Sequence, residues 1–303
     1  MRAVRLEAIG SMAVREVARP EAGPTDLLVR VEAVGICGSD RHMFKGEYPT
    51  ALPVTLGHEF CGIVEAVGPE VTRFVPGERI TGDPNIACGW CQQCRNGRPN
   101  LCDSLTAIGV FRDGGFADYV VVPQGQAHLL PADLNPLYGA FCEPLACCLH
   151  GLDVARIRPG DSVAVLGGGV IGLLMVQLAR LAGAGRVVMI TRQEARRQLA
   201  LTLGATEAVD PVAEDAVAAV RGIAKGGVDV VLECAGVPQT FVQGIGMARR
   251  GGTFVLFGVT PAMVAAGTLE LDRLISRTIG LDEVAGIVGA APALGEVKII
   301  AVP

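Results

Sequence analysis

The sequence predicts a two-domain chain in which a mainly antiparallel β domain is followed by an α/β domain built on a parallel sheet. Three observations support this fold class. The 303 residues exceed the length of about 250 at which a single core usually stops growing. Short alternating segments separated by Gly and Pro fill the chain up to about residue 152, and strand-like runs alternate with helical stretches from residue 162 onward.

The first part of the chain contains short runs in which polar and apolar residues alternate, as in antiparallel strands with one buried face. Examples are residues 27–31, 62–67 and 119–122. The last stretch, from about residue 268, ends in a strand-like run at 297–302 that we expect to pack back on the first domain.

The second part of the chain alternates β-branched runs with Ala- and Leu-rich stretches. The predicted strands are 163–166, 187–190, 228–232 and 253–257, and the clearest helix is 170–181. This alternation is typical of βαβ units and a parallel sheet. We therefore predict a first domain of residues 1–153 with 268–303 and a second domain of residues 154–267, which begins near the turn at 158–161.

The composition excludes several classes of partner. With 26 basic and 31 acidic residues, the net charge of −5 leaves no basic surface for nucleic acid or anionic lipid. Residues 1–7 lack the order of a secretory signal, and no uninterrupted apolar run reaches about 18 residues. We expect a cytoplasmic protein with small-molecule partners, in which ten cysteines are more readily metal ligands or buried thiols than disulfides.

Four closely spaced cysteines form the strongest metal signal. Cys88, Cys91, Cys94 and Cys102 lie in a loop rich in Gly, Asn and Pro. Such a loop can fold four thiolates around one zinc ion, whereas four free thiols would bring no packing benefit. Because four protein ligands leave no position for a substrate, this site is predicted to be structural.

A second set of candidate ligands is spread over three short motifs. Cys37 and His42 lie in GICGSDRH, His58 and Glu59 lie in GHE, and Glu143 lies in CEPLA. Each motif alone is weak, because a single Cys or His is more often a packing residue than a ligand. Their occurrence in one chain with the four-cysteine lobe and a downstream nucleotide motif strengthens the functional interpretation.

The order GICGSDxH, GHE, CxxCxxCx7C, EPLA and GGGVIG resembles the zinc-containing medium-chain alcohol dehydrogenases, in particular the sorbitol and threonine dehydrogenase branch. The resemblance implies a GroES-like β catalytic domain, a Rossmann domain, two zinc ions per chain and a homo-oligomer. It also implies that Cys37, His58 and Glu59 hold the catalytic zinc. Glu143 matches a further acidic position that either ligates the metal or hydrogen-bonds its water, and both alternatives stay open.

An open zinc site with thiolate, imidazole and carboxylate ligands lowers the pKa of a bound alcohol, and an alkoxide releases hydride more readily than an alcohol does. By the same resemblance, Ser39 accepts the hydroxyl proton and passes it through the cofactor ribose to His42 and solvent. For Asp40 we expect a carboxylate that orients a ligand rather than a direct chemical role.

A glycine-rich turn follows the first predicted parallel strand and begins the helix at 170–181. It has the form G-x-G-x-x-G, with the glycines at Gly167, Gly169 and Gly172, and Val170 and Ile171 between the last two. This spacing alone is weak and also occurs in turns without a ligand. Between a strand and a helix, it predicts that the backbone amides bind the pyrophosphate of a dinucleotide.

The second predicted strand ends without the acidic residue that usually holds the adenosine ribose in NAD sites. Thr191 and Arg192 stand there instead, and Arg196 and Arg197 follow one helical turn later. We predict that Thr191, Arg192 and Arg196 favour NADP over NAD, although NAD use stays possible. The alternative for Arg196 and Arg197 is a solvated helix face.

The chain departs from the family pattern after residue 257. Relative to the six-stranded arrangement, about forty residues are absent near 260, either as a real deletion or as an omission from the recorded sequence. In the family this region extends the sheet between subunits, so the oligomeric state is open. Two other functions are considered: a zinc-free quinone reductase, which has no need of the zinc ligands, and a nucleotide-binding sensor without catalysis.

Overall fold

The fold was analysed in a computed structural model, which describes residues 1–255, 275–291, 293 and 296–303. The described residues divide into two compact units. The first contains Met1–Glu143, Arg277–Pro292 and Ile299–Pro303, and the second contains Pro144–Ser276 and Ala293–Lys298. No helix in the described ranges is long and apolar enough to cross a membrane.

The first unit is mainly β structure. Its strands, with those that return to it at the end of the chain, are β1 (Arg2–Ala8), β2 (Ser11–Glu16), β3 (Asp26–Gly35), β4 (Val54–Thr55), β5 (Glu59–Val67), β6 (Arg79–Gly82), β7 (Asn85–Ile86), β8 (Thr106–Ala107), β9 (Tyr119–Pro123), β10 (Ala127–Leu129), β16 (Ile275–Gly280) and β17 (Lys298–Val302). The helices are α1 (Gly38–Lys45), α2 (Gln92–Arg95), a 3-10 turn (Pro99–Leu101), α3 (Pro136–Gly139), the start of α4 (Cys142–Ala155) and α9 (Leu281–Gly289). These elements give the β domain that the sequence pattern predicted and the GroES-like fold that the resemblance implied.

The long strand β3 organises the main sheet of the first unit. The order is β10-β6-β5-β3-β17-β16, and β9 also pairs with β3. The pairings of β3 with β5, β9 and β17 are antiparallel. β17 therefore joins the first sheet, as predicted for the end of the chain, and apolar residues such as Val29, Phe60 and Phe116 form the core.

The second unit is a parallel α/β sheet. Its strands are β11 (Ser162–Leu166), β12 (Arg186–Ile190), β13 (Glu207–Val209), β14 (Val228–Glu233) and β15 (Ala248–Val255), and its helices, besides most of α4, are α5 (Val170–Leu181), α6 (Glu194–Thr202), α7 (Ala216–Ile223) and α8 (Pro238–Met247). All pairs are parallel and the order is β13-β12-β11-β14-β15. This is the Rossmann order over its first five strands, which confirms the predicted fold class.

Two details of the second unit differ from the sequence-based expectations. Strand β15 begins at Ala248 instead of residue 253, so that the charged and glycine-rich start of the strand was missed. The helix at Val170–Leu181 has the predicted bounds. The predicted deletion near residue 260 lies outside the described residues, and the domain boundary at 153/154 stays a prediction.

Candidate active site and metal centres

The register of β3 against β5 brings the first set of candidate ligands together. Gly35, the last residue of β3, pairs with Glu59, the first residue of β5. Cys37 follows β3 as the N-cap of α1, and His58 directly precedes β5. The Cys37 sulfur, one ring nitrogen of His58 and one carboxylate oxygen of Glu59 lie within 4.8 Å of one another. The residues separated in sequence thus form one compact donor group.

Glu143 lies in the first turn of α4 and is not part of this group. Its charge nevertheless acts on the group, since it is among the carboxylates that raise the pKa of His58. The structure therefore places Glu143 in electrostatic range of His58, and both roles considered for it stay open.

The carboxylate of Asp40 lies next to two of the three donor residues, Cys37 and His58. The side chain is fully buried, and its Oδ2 accepts a 2.8 Å hydrogen bond from the backbone N–H of Cys37. Its Oδ1 lies 3.6 Å from Nδ1 of His58. Burial by itself would lower the pKa of His58, but Asp40, Cys37 and Glu143 together raise it well above its ordinary value. The pocket therefore favours positive charge at this position.

Ser39 and His42 take different partners on the same helix. Ser39 Oγ lies 3.3 Å from Nε2 of His58, next to the donor group. His42 lies one turn further along α1, where its Nδ1 is 2.6 Å from Oε2 of Glu47 and its side chain is 60% exposed. Ser39 is thus at the donor group and His42 is at the solvent, and a proton path between them stays a prediction.

The four cysteines of the lobe also converge. Cys91 is the N-cap of α2, Cys94 lies within α2, and Cys102 follows the 3-10 turn. The Sγ–Sγ distances are 3.5 Å for Cys91–Cys94 and 4.0 Å for Cys88–Cys94 and Cys91–Cys102. Four sulfurs held tetrahedrally at about 2.3 Å from one ion would lie about 3.8 Å apart. The observed spacing fits a tetrahedral four-thiolate site.

Backbone amides point at the sulfurs of this lobe and stabilise negative charge on them. Cys88 N–H donates to Sγ of Cys102 at 3.2 Å, and Cys91 N–H donates to Sγ of Cys88 at 3.3 Å. Hydrogen bonds from the backbone of Cys94 and Asp103 lower the pKa of Cys91 to about 6. Because a metal binds the thiolate form, these donors favour metal binding.

In the turn after β11, the three glycines of the G-x-G-x-x-G motif differ in what a side chain at each position would meet. Gly167 has φ of +106°, a conformation that side chains disfavour, and its N–H donates to the Ile190 carbonyl oxygen at 2.9 Å. A Cβ on Gly172 would stand 1.8 Å from the carbonyl oxygen of Gly167, whereas a Cβ on Gly169 would meet no described residue within 4 Å. The turn is therefore tight, closely packed on the helix, and open above Gly169. These are the three features of a pyrophosphate-binding turn.

Comparison with known proteins agrees with this geometry. Residues 23–132 match the model of the alcohol dehydrogenase GroES-like domain, and residues 170–291 match the zinc-binding dehydrogenase model. A sorbitol dehydrogenase from Halalkalibacterium halodurans is 38% identical over 82% of this chain and 74% of its own length. An L-threonine 3-dehydrogenase from Chromobacterium violaceum is 33% identical over 94% of this chain and 83% of its own. This chain belongs to the zinc-binding alcohol dehydrogenase family.

A solved structure supports the same assignment. A chain from Sinorhizobium meliloti 1021, described as a zinc-binding dehydrogenase and crystallised with NADP, is 51% identical, with a TM-score of 0.97. The alignment covers 100% of this chain and 99% of that chain. The oxidoreductase class expected from the sequence is thereby confirmed.

In this family member, the loop after β12 carries the residues predicted to read the cofactor. Thr191 is buried and its Oγ1 lies 3.0 Å from the position that a Cβ on Gly168 would take. The Cβ of Arg196 lies 3.1 Å from the same Cβ position on Gly168. The Arg192 side chain is exposed, and none of its donors is hydrogen-bonded within the described part of the chain. Thr191 and Arg196 therefore border the glycine turn, and Arg192 lies next to Thr191 in the chain.

The sequence did not predict the burial and the ion pairs of Arg197. Its side chain is 12% exposed, so the solvated-face alternative is wrong for this residue. Arg196 is half-buried, with its Nη2 donating to the Glu296 carbonyl oxygen. One partner of Arg197, Asp210, follows the third parallel strand, and its approach depends on the folded sheet. Only Glu194, three residues earlier on the same helix, was a signal visible in the sequence.

Proposed function

We propose that this chain is a zinc-dependent dehydrogenase that interconverts a secondary alcohol or polyol and the corresponding ketone, with NADP preferred over NAD. The observation that carries the proposal is the compact donor group of Cys37, His58 and Glu59. We propose further that residues 1–153 with 268–303 form the catalytic domain and that 154–267 form the cofactor domain. A homo-oligomer and a cytoplasmic location stay predictions.

The donor group fits a catalytic zinc. Thiolate, imidazole and carboxylate are all ordinary zinc ligands, and three of them leave a coordination position for substrate. The carboxylates around His58 make the pocket favourable for positive charge, which a divalent cation supplies. Glu143 is a further acidic group of this site and would either act as a fourth ligand or hold a water. A bound zinc would supply a Lewis acid for the alcohol oxygen, and a bound nicotinamide would supply the hydride acceptor.

The protein's own residues then orient the donors and move the proton. Asp40 holds the loop of Cys37 through the 2.8 Å hydrogen bond and faces Nδ1 of His58, so that Nε2 points to the donor group. Ser39 accepts the substrate proton, and His42 releases it to solvent. Glu47 engages Nδ1 of His42 and leaves Nε2 of that ring for proton exchange.

The cofactor preference rests on the loop after β12. A hydroxyl at Thr191 and guanidinium groups at Arg192 and Arg196 can donate to a 2′-phosphate, where an acidic residue would repel it. Nε of Arg196 is buried and has no hydrogen-bond partner among the described residues, so this donor is left unsatisfied next to the glycine turn. Gly167, Gly169 and Gly172, with the N–H groups of Val170 and Ile171 at the start of α5, fit the pyrophosphate. The NADP in the Sinorhizobium meliloti relative supports the same preference.

The four-cysteine lobe fits a second, structural zinc. Cys88, Cys91, Cys94 and Cys102 supply all four ligands, and their spacing suits a tetrahedral ion. With no position left for substrate, this site would stabilise the lobe and take no part in the reaction. We therefore propose two zinc ions per chain.

The test is an assay of NADP reduction with secondary alcohols and polyols, in the wild type and in Cys37→Ser. We expect turnover of at least one alcohol, and a loss in Cys37→Ser that exceeds the about 10- to 100-fold typical of residues that only support a ligand. Cys61→Ser is the matched control, because this buried cysteine on β5 donates to the Pro136 carbonyl oxygen and a serine can keep that bond.

Two outcomes would favour the other functions. Reduction of quinones by a zinc-free preparation, with Cys37→Ser fully active, would indicate a quinone reductase. Tight NADP binding without turnover of any alcohol would indicate a nucleotide-binding sensor. Equal activity of Cys37→Ser and Cys61→Ser with alcohols would remove the proposed zinc chemistry.

A further inference from the structure

Arg197 on α6 uses its guanidinium to join four groups around the loop after β12. Its Nη1 donates to the backbone carbonyl oxygens of Thr191 and Arg192, both at 2.8 Å. Its Nη2 lies 3.0 Å from Oδ2 of Asp210, and its Nε and Nη2 both donate to Glu194. Every donor nitrogen of this side chain is thus engaged within the protein.

The engagement of Arg197 distinguishes it from the neighbouring arginine, Arg192. The Arg192 guanidinium is exposed and forms no hydrogen bond with a described residue, so it is free to meet an anion. Arg197 is largely buried and fully paired, so it has no donor left for a ligand. Since it holds both carbonyl oxygens of the Thr191–Arg192 segment, it fixes the direction in which these two side chains leave the loop.

The charges around Arg197 give it a second effect. Glu194 and Asp210 both lie at its guanidinium, next to the segment that is proposed to meet the 2′-phosphate. Without the guanidinium, two carboxylates would stand there uncompensated and would repel a phosphate. The ribose hydroxyl of NAD would not be repelled, because a hydroxyl can donate to a carboxylate.

We infer that Arg197 is a specificity-determining residue that sets the preference for NADP over NAD without touching the cofactor. It acts by fixing the Thr191–Arg192 segment and by neutralising Glu194 and Asp210. The inference rests on the proposed binding of the 2′-phosphate by this loop. A purely structural arginine would instead affect both cofactors equally.

The experiment measures binding to the full chain by isothermal titration calorimetry with 2′,5′-ADP and 5′-AMP, which differ only in the 2′-phosphate. For Arg197→Met we expect the affinity for 2′,5′-ADP to fall about tenfold or more, with a change of less than about threefold for 5′-AMP. Arg197→Lys keeps the charge but cannot form the same fork, and we expect an intermediate loss. The ratio of kcat/KM for NADP and NAD should follow the same order.

Arg180→Met is the matched control. Arg180 also binds two backbone carbonyl oxygens with one nitrogen, those of Ala184 at 2.5 Å and Gly185 at 3.2 Å, in the segment that leads into β12. This segment lies at the opposite end of the strand from Thr191. We expect its loss to lower the melting temperature and to leave the ratio of the two affinities unchanged.

A variant with an intact Arg197 tests the charge effect independently of folding. Glu194→Gln with Asp210→Asn should increase the preference for 2′,5′-ADP, because it removes two negative charges near the phosphate. The same pair combined with Arg197→Met should recover part of the lost affinity.

The outcomes separate the inference from the proposed function. A wild type that binds 5′-AMP as tightly as 2′,5′-ADP would show that the proposed NADP preference itself is wrong. A wild type that prefers 2′,5′-ADP would keep the proposed preference. In that case, an unchanged ratio in Arg197→Met, or an equal loss for both ligands, would overturn the role of Arg197. If Arg197→Met does not fold, an unchanged ratio in Glu194→Gln with Asp210→Asn would overturn it equally.

Discussion

Alanine at position 172 would place its Cβ 1.8 Å from the carbonyl oxygen of Gly167. This contact is with backbone, so no side chain can turn aside to relieve it. Gly167 is itself restrained, because its N–H donates to the Ile190 carbonyl oxygen and its own Cβ position lies 2.8 Å from the backbone nitrogen of Ala235. The glycine turn must therefore move away from α5 to accept the methyl group.

The size of the effect follows from the cost of overpacking, which is about 1–3 kcal/mol. If the turn relieves the overlap by moving out of its binding geometry, binding NADP must restore that geometry at the same free-energy cost. The dissociation constant for NADP then rises about 5- to 150-fold. Titration of NADP by quenching of protein fluorescence measures the constant, and thermal melting measures stability. We expect the variant to bind NADP weakly and to melt below the wild type.

Two glycine controls make this prediction specific. On Gly222, near the end of α7, a Cβ meets no described residue within 4 Å, so alanine should leave NADP binding unchanged and stabilise the helix by about 0.5–1 kcal/mol. On Gly169 a Cβ also meets no atom of a described residue within 4 Å, but it enters the space proposed for the pyrophosphate, so alanine should weaken binding without lowering stability. Wild-type affinity in Gly172→Ala would refute the account of the turn.

Three further predictions concern other parts of the chain. Ser39→Ala should lower kcat much more than it changes the affinity for NADP, and His42→Ala should shift the pH profile of kcat; unchanged rates and profiles in both would remove the proton path. Asp40→Asn should weaken zinc binding about 10- to 100-fold, as measured by competition with a chelator, because it removes the carboxylate that faces His58. Although burial opposes it, hydrogen bonds from Ser162 and Arg249 lower the pKa of Asp229 to about 2. The stabilisation by Asp229, about 1–2 kcal/mol, should be complete above about pH 5 and be lost as the pH falls towards 2, and acid unfolding of Asp229→Asn should lack this component.

The elements with strong local patterns were predictable from the sequence. The apolar helix after the glycine turn has the predicted bounds, Val170–Leu181, because a regular apolar face and the end of the preceding strand agree there. Strand β15 was placed too late, since its start contains Arg249, Arg250 and two glycines, which disfavour strands in isolation. The pairing of this segment with β14 compensates for the weak local preference.

The candidate site was predictable as a set of residues and less so as an arrangement. The convergence of Cys37, His58 and Glu59 depends on the register of β3 and β5, which resemblance implied but no local pattern encodes. Glu143 is separate from the three-residue group in the structure. The contacts of Arg197 join three chain segments, so they become visible only when β12, β13 and α6 are packed together.

The zinc content of three purified proteins tests the central claim most directly. Inductively coupled plasma mass spectrometry should find two zinc ions per chain in active wild type, one in Cys37→Ser and one in Cys94→Ser. Only Cys37→Ser should keep the wild-type melting temperature, because its zinc lies in an open site that contributes little to folding. One zinc ion or none in a fully active wild type, or the same content in all three proteins, would contradict the account of two separate centres.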